Sequence, residues 1–167
     1  RQLATSPIPS IQVNALLPKL TDMGDLSLGQ ITSLDVSVLS SNQVANITST
    51  QLRALLPAQL IDTSYGGNEL LVNLGTRVAD LAVEQITGLG VDIDLLTIGA
   101  TNQIDALTTD QLRALTTTQL AALSAKIASV ISNNPRLAEF SSQIRLETTP
   151  DGLQIQIVDD QNRAMFD

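Results

Sequence analysis

The stretch Ala106-Leu-Thr-Thr-Asp-Gln-Leu-Arg113 is followed at once by Ala114-Leu-Thr-Thr-Thr-Gln-Leu-Ala121, and then by a degraded copy, Ala122-Leu-Ser-Ala-Lys-Ile127. The unit is eight residues long and reads Thr/Ser-x-x-Gln, an aliphatic residue, two free positions and a second aliphatic. Upstream it recurs at Gln43-Val44, Gln51-Leu52 and Gln59-Leu60, and singly at Gln30-Ile31, Gln85-Ile86 and Gln103-Ile104. A fixed internal period is the mark of a repeat architecture, in which each unit buries its apolar face only by stacking on another.

The unit has a mechanical reading. A Ser or Thr three residues before a Gln is a capping box: the hydroxyl accepts the third helical amide, and the Gln side chain accepts the amide of the cap. Ser27/Gln30, Ser40/Gln43, Thr48/Gln51, Thr108/Gln111 and Thr116/Gln119 all fit, so each octad announces a new helix. A continuous helix is disfavoured, because an eight-residue period drifts by about 80° per repeat around a 3.6-residue turn and would wind the leucines off any single face. Helices this short hold only when stacked.

The expected fold class is therefore mainly α, a repeat solenoid of short capped helices with a small C-terminal β-hairpin. An α/β solenoid resembling leucine-rich repeats is the alternative. It draws on Leu34-Asp-Val-Ser-Val-Leu39 and Val91-Asp-Ile-Asp-Leu-Leu-Thr-Ile98, whose alternation and β-branched content read as strands, and on three octads making a plausible coil of about 24 residues. The capping signal favours the helical version. Leu70 to Ile86 has the apolar spacing of one amphipathic helix, weakened by Gly75. Ser6-Pro-Ile-Pro-Ser10 reads as extended, because Pro7 and Pro9 both disfavour helix. The expected organisation is an extended lead-in over 1–27, the octad region over 28–131 and a distinct tail over 132–167.

Composition narrows the function. A formal charge of -8, with nine scattered Lys and Arg, argues against a nucleic-acid partner and against attraction to an anionic membrane. Cysteine and histidine are both absent, which removes disulfides, thiolate metal sites and thiol catalysis, together with the side chain best suited to proton transfer near neutral pH. No apolar run approaches a membrane span, the longest being Leu70 to Leu74 and Leu95 to Ile98. With Arg1 rather than Met at its start, the chain reads as processed or excised.

From Ile131 the texture changes. Asn133-Asn-Pro135 breaks the octads, Arg136 to Phe140 reads as a short helix, and Ile144 to Thr148 alternates like a strand. Pro150-Asp-Gly152 supplies a turn into Leu153-Gln-Ile-Gln-Ile-Val-Asp159, which places Leu153, Ile155 and Ile157 on one face of a hairpin. Asp159 to Arg163 reads as a second turn, after which Met165 and Phe166 would pack back.

Asn134 to Leu137, Asp151 to Asp159 and Asn162 to Phe166 together resemble the approach to, and the first strands of, the OmpA-like periplasmic domain of the flagellar stator subunit family, motility protein B. The octad region resembles exported bacterial repeat proteins only loosely. Ala164 stands where the stator family usually has Pro, a departure that would loosen one turn. The resemblance implies a periplasmic or envelope location and an approach to a peptidoglycan-anchoring domain. The family's peptidoglycan-contacting residues lie beyond the matching motif. Its membrane helix, with a proton-carrying carboxylate, would lie upstream, where this chain has repeats.

Candidate sites are few. Asp62, Asn68 and Glu69 around Gly66-Gly67 offer oxygen ligands suited to Ca²⁺, but their spacing matches no standard calcium loop and a capped turn is favoured. Asp92 and Asp94 would share one side of a strand, and a solvated face is favoured over a carboxylate pair. Asp159 and Asp160 read as a turn. The Thr and Gln columns read as caps, although a regular row of hydroxyls also suits an ordered surface. The expectation is a non-enzymatic structural or interaction protein without catalytic or cofactor-binding residues: a repeat spacer or docking surface of the bacterial envelope. It would contact a protein partner or itself, and peptidoglycan only through a domain beyond this chain. A fragment of an ion-driven motor stator is the alternative.

Overall fold

The computed structural model describes Ala15 and residues 17–20, 22–62, 70–98, 102–149 and 152–158. Over these residues the chain is mainly helical and ends in a small antiparallel sheet of two strands. The α-helices are α1 (Leu28–Thr32), α2 (Ser41–Asn46), α3 (Ser49–Leu52), α4 (Pro57–Leu60), α5 (Leu70–Asn73), α6 (Val83–Gly88), α7 (Gln103–Ala106), α8 (Thr109–Arg113), α9 (Thr117–Asn133) and α10 (Pro135–Ala138). Tight 3₁₀ turns lie between them at Leu17–Lys19, Met23–Asp25, Val36–Val38, Gly75–Asp80, Gly90–Leu95 and Ser141–Gln143.

The helices start where the hydroxyls are. Ser27, Ser40, Thr48, Thr108 and Thr116 each hold extended backbone, accept the amide of the Gln three residues on, and have their own amide bound by that Gln. All five capping boxes read from the sequence are thus present. Two further helices have half a box. Leu56 precedes α4 and Ala82 precedes α6, and neither carries a hydroxyl, yet the Oε1 atoms of Gln59 and Gln85 still accept their amides at 2.9 and 2.8 Å. Many helices then stop after one turn because the second aliphatic of the octad returns to extended backbone, as at Ile47 (ψ 126°) and Leu107 (ψ 134°). That residue delivers its side chain to the interior and sets up the next cap.

The aliphatic pairs behave as one interior. Ile31 and Leu34, Val44 and Ile47, Leu52 and Leu55, and Ile86 and Leu89 are all buried and belong to a single hydrophobic cluster, which also contains Met23, Leu71, Val78, Ile93 and Leu96. The pairing weakens toward the C-terminal side, where Leu112 is 45% exposed. At the surface of this interior, exposed Gly88 lies close against half-buried Pro57 of α4: a Cβ on Gly88 would lie 2.7 Å from Cγ of Pro57, closer than real contacts allow.

Several expectations are corrected. Leu34 to Leu39 and Val91 to Ile98 contain the turns Val36–Val38 and Gly90–Leu95 rather than strands. Ile93 and Leu96 are buried three residues apart, which is the period of a 3₁₀ turn. Among the described residues the repeat region therefore has no strand, contrary to the α/β alternative. Leu70 to Ile86 is not one helix but α5, the turn Gly75–Asp80 and α6. Its apolar residues are buried as the spacing implied, but Gly75 takes a φ of 55° that ends α5, and Ala82 is extended (ψ 153°) and restarts the chain. Conversely, the degraded octad at Ala122 starts nothing, because no Ser/Thr and Gln pair stands there to cap a new helix; α9 runs unbroken for 17 residues. It ends at Asn133, before the Asn134 cap of α10, whose Oδ1 accepts the Arg136 amide at 3.0 Å.

The tail forms the expected hairpin. β1 (Ile144–Thr149) pairs antiparallel with β2 (Gly152–Ile157) in the register Ile144↔Ile157 to Thr149↔Gly152, extended by a bond from the Val158 amide to the Gln143 carbonyl at 2.8 Å. Leu153, Ile155 and Ile157 share a face with their partners Ile144 and Leu146, as alternation requires. That face is only partly covered. α9 packs chiefly along β1, and Ile155 and Ile157 of β2 remain 56% and 45% exposed. The lead-in at Ser6 to Ser10, the glycine turn at Gly66-Gly67, the Pro150-Asp151 turn and the segment from Asp159 through Met165 and Phe166 lie outside the described residues.

Candidate functional site

The feature that organises the molecule is a set of glutamines with almost no exposed surface. Gln43, Gln51, Gln85, Gln103, Gln111 and Gln119 are all buried. Each Oε1 serves a local amide, and each Nε2 reaches far back along the chain. From Gln51, Nε2 donates to the carbonyls of Met23 and Leu26 at 2.7 and 2.9 Å; from Gln85, to Leu52 and Leu55 at 2.8 and 2.6 Å; from Gln119, to Ile86 and Thr87 at 2.8 and 3.3 Å. These bonds form a column, since the acceptors of Gln85 directly follow Gln51 and those of Gln119 directly follow Gln85. Gln59, bonded to the carbonyls of Ile31 and Leu34, and Gln103, bonded to those of Leu71 and Gly75, repeat the pattern elsewhere.

A parallel column contains one substitution. Gln43 donates to the carbonyls of Leu17 and Leu20, and Gln111 to those of Val78 and Leu81 at 3.0 and 2.8 Å. Between them stands Arg77, whose guanidinium donates to the carbonyls of Val44, Ala45 and Ile47 and is held by Asp80 at 3.4 Å. Beside the columns, Lys126 donates its ammonium to the Asp94 carbonyl.

The choice of glutamine follows from its valences. A primary amide carries one acceptor oxygen and two N–H donors, matching a cap amide plus two carbonyls. A carboxylate lacks the donors, and an ammonium or guanidinium lacks the acceptor. Buried polar groups are costly unless bonded, and among the described residues no buried side-chain nitrogen or oxygen lacks a partner. The bonds of Gln43, Gln51 and Gln59 span 23 to 28 residues, and those of Gln85, Gln103, Gln111 and Gln119 span 28 to 33. The first set is close to three octads, the coil length considered for the α/β alternative, whereas the second corresponds to four octads. Early in the chain, the three-residue turns at Met23–Asp25 and Val36–Val38 stand where later segments have longer helical elements.

The candidate ligands are not gathered into a site. Asp62 is half-buried and already has a bonding or electrostatic partner, while Asn68 and Glu69 lie outside the described residues. Asp92 and Asp94 sit in a 3₁₀ turn, not a strand, so they do not share one side; Asp92 is half-buried and Asp94 exposed. Asp159 and Asp160 are outside the described residues. No helix among those described is long and apolar enough to cross a membrane. The hydroxyl caps stand on the surface, and their local role is the one read from sequence. Sequence reasoning missed the second half of the glutamine's role. The signal was the invariance of Gln across the octads, for which a cap alone does not require Gln at a buried position.

No protein-family model, curated protein or solved structure matches this chain.

Proposed function

We propose that the octad region is a repeat solenoid acting as a spacer or docking surface of the bacterial envelope, and that the tail leads toward a peptidoglycan-anchoring domain. The observation that carries this reading is the glutamine ladder, in which the side chain that caps one helix also clamps the backbone of an octad about one layer earlier. Such a structure extends by adding units, keeps its cross-section, and presents an even surface of Ser and Thr hydroxyls between short helices. Its work is mechanical and adhesive: it holds two attachments at a set separation.

The second reading, a piece of an ion-driven motor stator, rests on the sequence resemblance of Asn134 to Leu137 and Asp151 to Asp159 to that family. Small-angle scattering combined with sedimentation against purified peptidoglycan sacculi tests the first reading. The expected result is a skewed distance distribution with an extended tail, from a chain that stays in the supernatant. A symmetric, globular distribution would overturn the solenoid, and pelleting with sacculi would move the cell-wall contact into this chain.

A further inference from the structure

We propose that β2 pairs antiparallel with β2 of a second copy of this chain, about a twofold axis through Ile155, to form a four-stranded sheet. This stands on the hairpin alone and is independent of the role given to the octads.

Among the described residues, β2 has a strand neighbour on one side only, β1. An unpaired strand edge is a template for another strand, and proteins ordinarily blunt it with charge or proline. β1 has such protection in Arg145 and Glu147, but Gly152–Ile157 contains neither a charge nor a proline. Large aliphatic exposure on the hairpin falls on the same strand, at Ile155 and Ile157.

The sequence of the edge specifies the occupant. Leu153-Gln-Ile-Gln-Ile157 reads nearly the same in both directions about Ile155. In an antiparallel pair centred there, Ile155 faces its own copy, Leu153 faces Ile157, and Gln154 faces Gln156. The two apolar pairings fall on one face and the amide pairings on the other, so the exposed isoleucines of both copies join a continuous apolar surface. Cross-strand pairs of this kind are the unit of sheet stabilisation, and the contact is isologous, closing at two copies. A register shifted by one residue would oppose Gln to Ile and put the isoleucines of the two copies on opposite faces of the sheet.

The test uses the full chain, which contains no native cysteine. Light scattering over a concentration series is expected to show a monomer passing to a dimer, and Ile155→Lys, at an exposed site, to stay monomeric with unchanged helical circular dichroism. Facing residues in an antiparallel pair lie about 4.5–5.5 Å apart between Cα atoms, within disulfide reach. Ile155→Cys is therefore expected to cross-link to itself under mild oxidation. Leu153→Cys is not, because its two copies would be offset by about 13 Å along the strands. A chain monomeric throughout would overturn the proposal and leave the edge to a different strand. Equal cross-linking of the two cysteine variants would overturn the register.

Discussion

Each of the glutamines that reach back to carbonyls earlier in the chain makes at least three bonds from one amide, and removing it strands those partners. At Gln111 those are the Thr108 amide at 2.8 Å and the carbonyls of Val78 and Leu81. An unsatisfied buried group costs about 1–3 kcal/mol, so Gln111→Leu is expected to destabilise the chain by about 3 kcal/mol in urea unfolding. Gln30 is the internal control, since it serves the Ser27 amide and its Nε2 has no protein partner among the described residues; Gln30→Leu should cost about 1 kcal/mol. Gln111→Glu separates valence from shape. The carboxylate would set acceptor against acceptor at Val78 and Leu81, which raises its folded pKa above the ordinary carboxyl range. The folded state then binds more protons than the unfolded state between the two values, so stability falls as pH rises through that window. The variant should approach the parent in stability near about pH 4 and fall well below it near about pH 8; a gap independent of pH would contradict this account.

One-turn helices cannot support themselves, since nucleation costs more than a single turn returns. Here the start of each element is bound by its cap and its end is released into the interior by the second aliphatic. The complete and half boxes give a paired prediction. Thr108→Ala removes a hydroxyl that accepts the Gln111 amide at 3.2 Å and should cost about 1 kcal/mol. Ala82→Ser adds the missing hydroxyl at the start of α6, whose glutamine half is already in place, and should stabilise by about 0.5–1 kcal/mol. Opposite shifts in thermal midpoint would check the pair, and no gain from Ala82→Ser would show that the Gln half is sufficient. The hydroxyl-and-glutamine signature was readable in advance because it is local, spanning four residues. The Leu70 to Ile86 segment was misread because apolar spacing alone cannot distinguish one long helix from three short elements that deliver the same residues inward. That depended on the left-handed backbone of Gly75 and on Gln85 acting as a cap without a hydroxyl partner.

At the scale of the whole molecule, one hydrophobic cluster among the described residues runs from Leu17 to Leu123, and the glutamine columns cross it from early to late octads. In the proposed solenoid, neighbouring units unfold together when their interfaces are strong relative to each repeat, and one-turn helices have almost no stability of their own. Gln51→Leu and Gln111→Leu, near opposite ends of the ladder, are therefore expected to lower the midpoint of the same single transition. Separate transitions seen by circular dichroism would indicate two independently folding blocks. The hairpin lies outside that cluster; α9 packs against it chiefly along β1, which leaves Ile155 and Ile157 of β2 exposed.

What the amino-acid sequence determined by itself was local and periodic: five capping boxes, the inward aliphatic pairs, the helix break at Asn133 and the alternation of the hairpin. Each depends on residues within a few positions of one another, where steric preference and side-chain valence act without long-range help. The tertiary structure decided which octad lies beside which, that the spacing grows from roughly three octads to four, and that Leu34 to Leu39 and Val91 to Ile98 coil into turns. Those outcomes depend on whether a carbonyl pair more than twenty residues away comes within reach of an amide. Only the packed interior sets that distance.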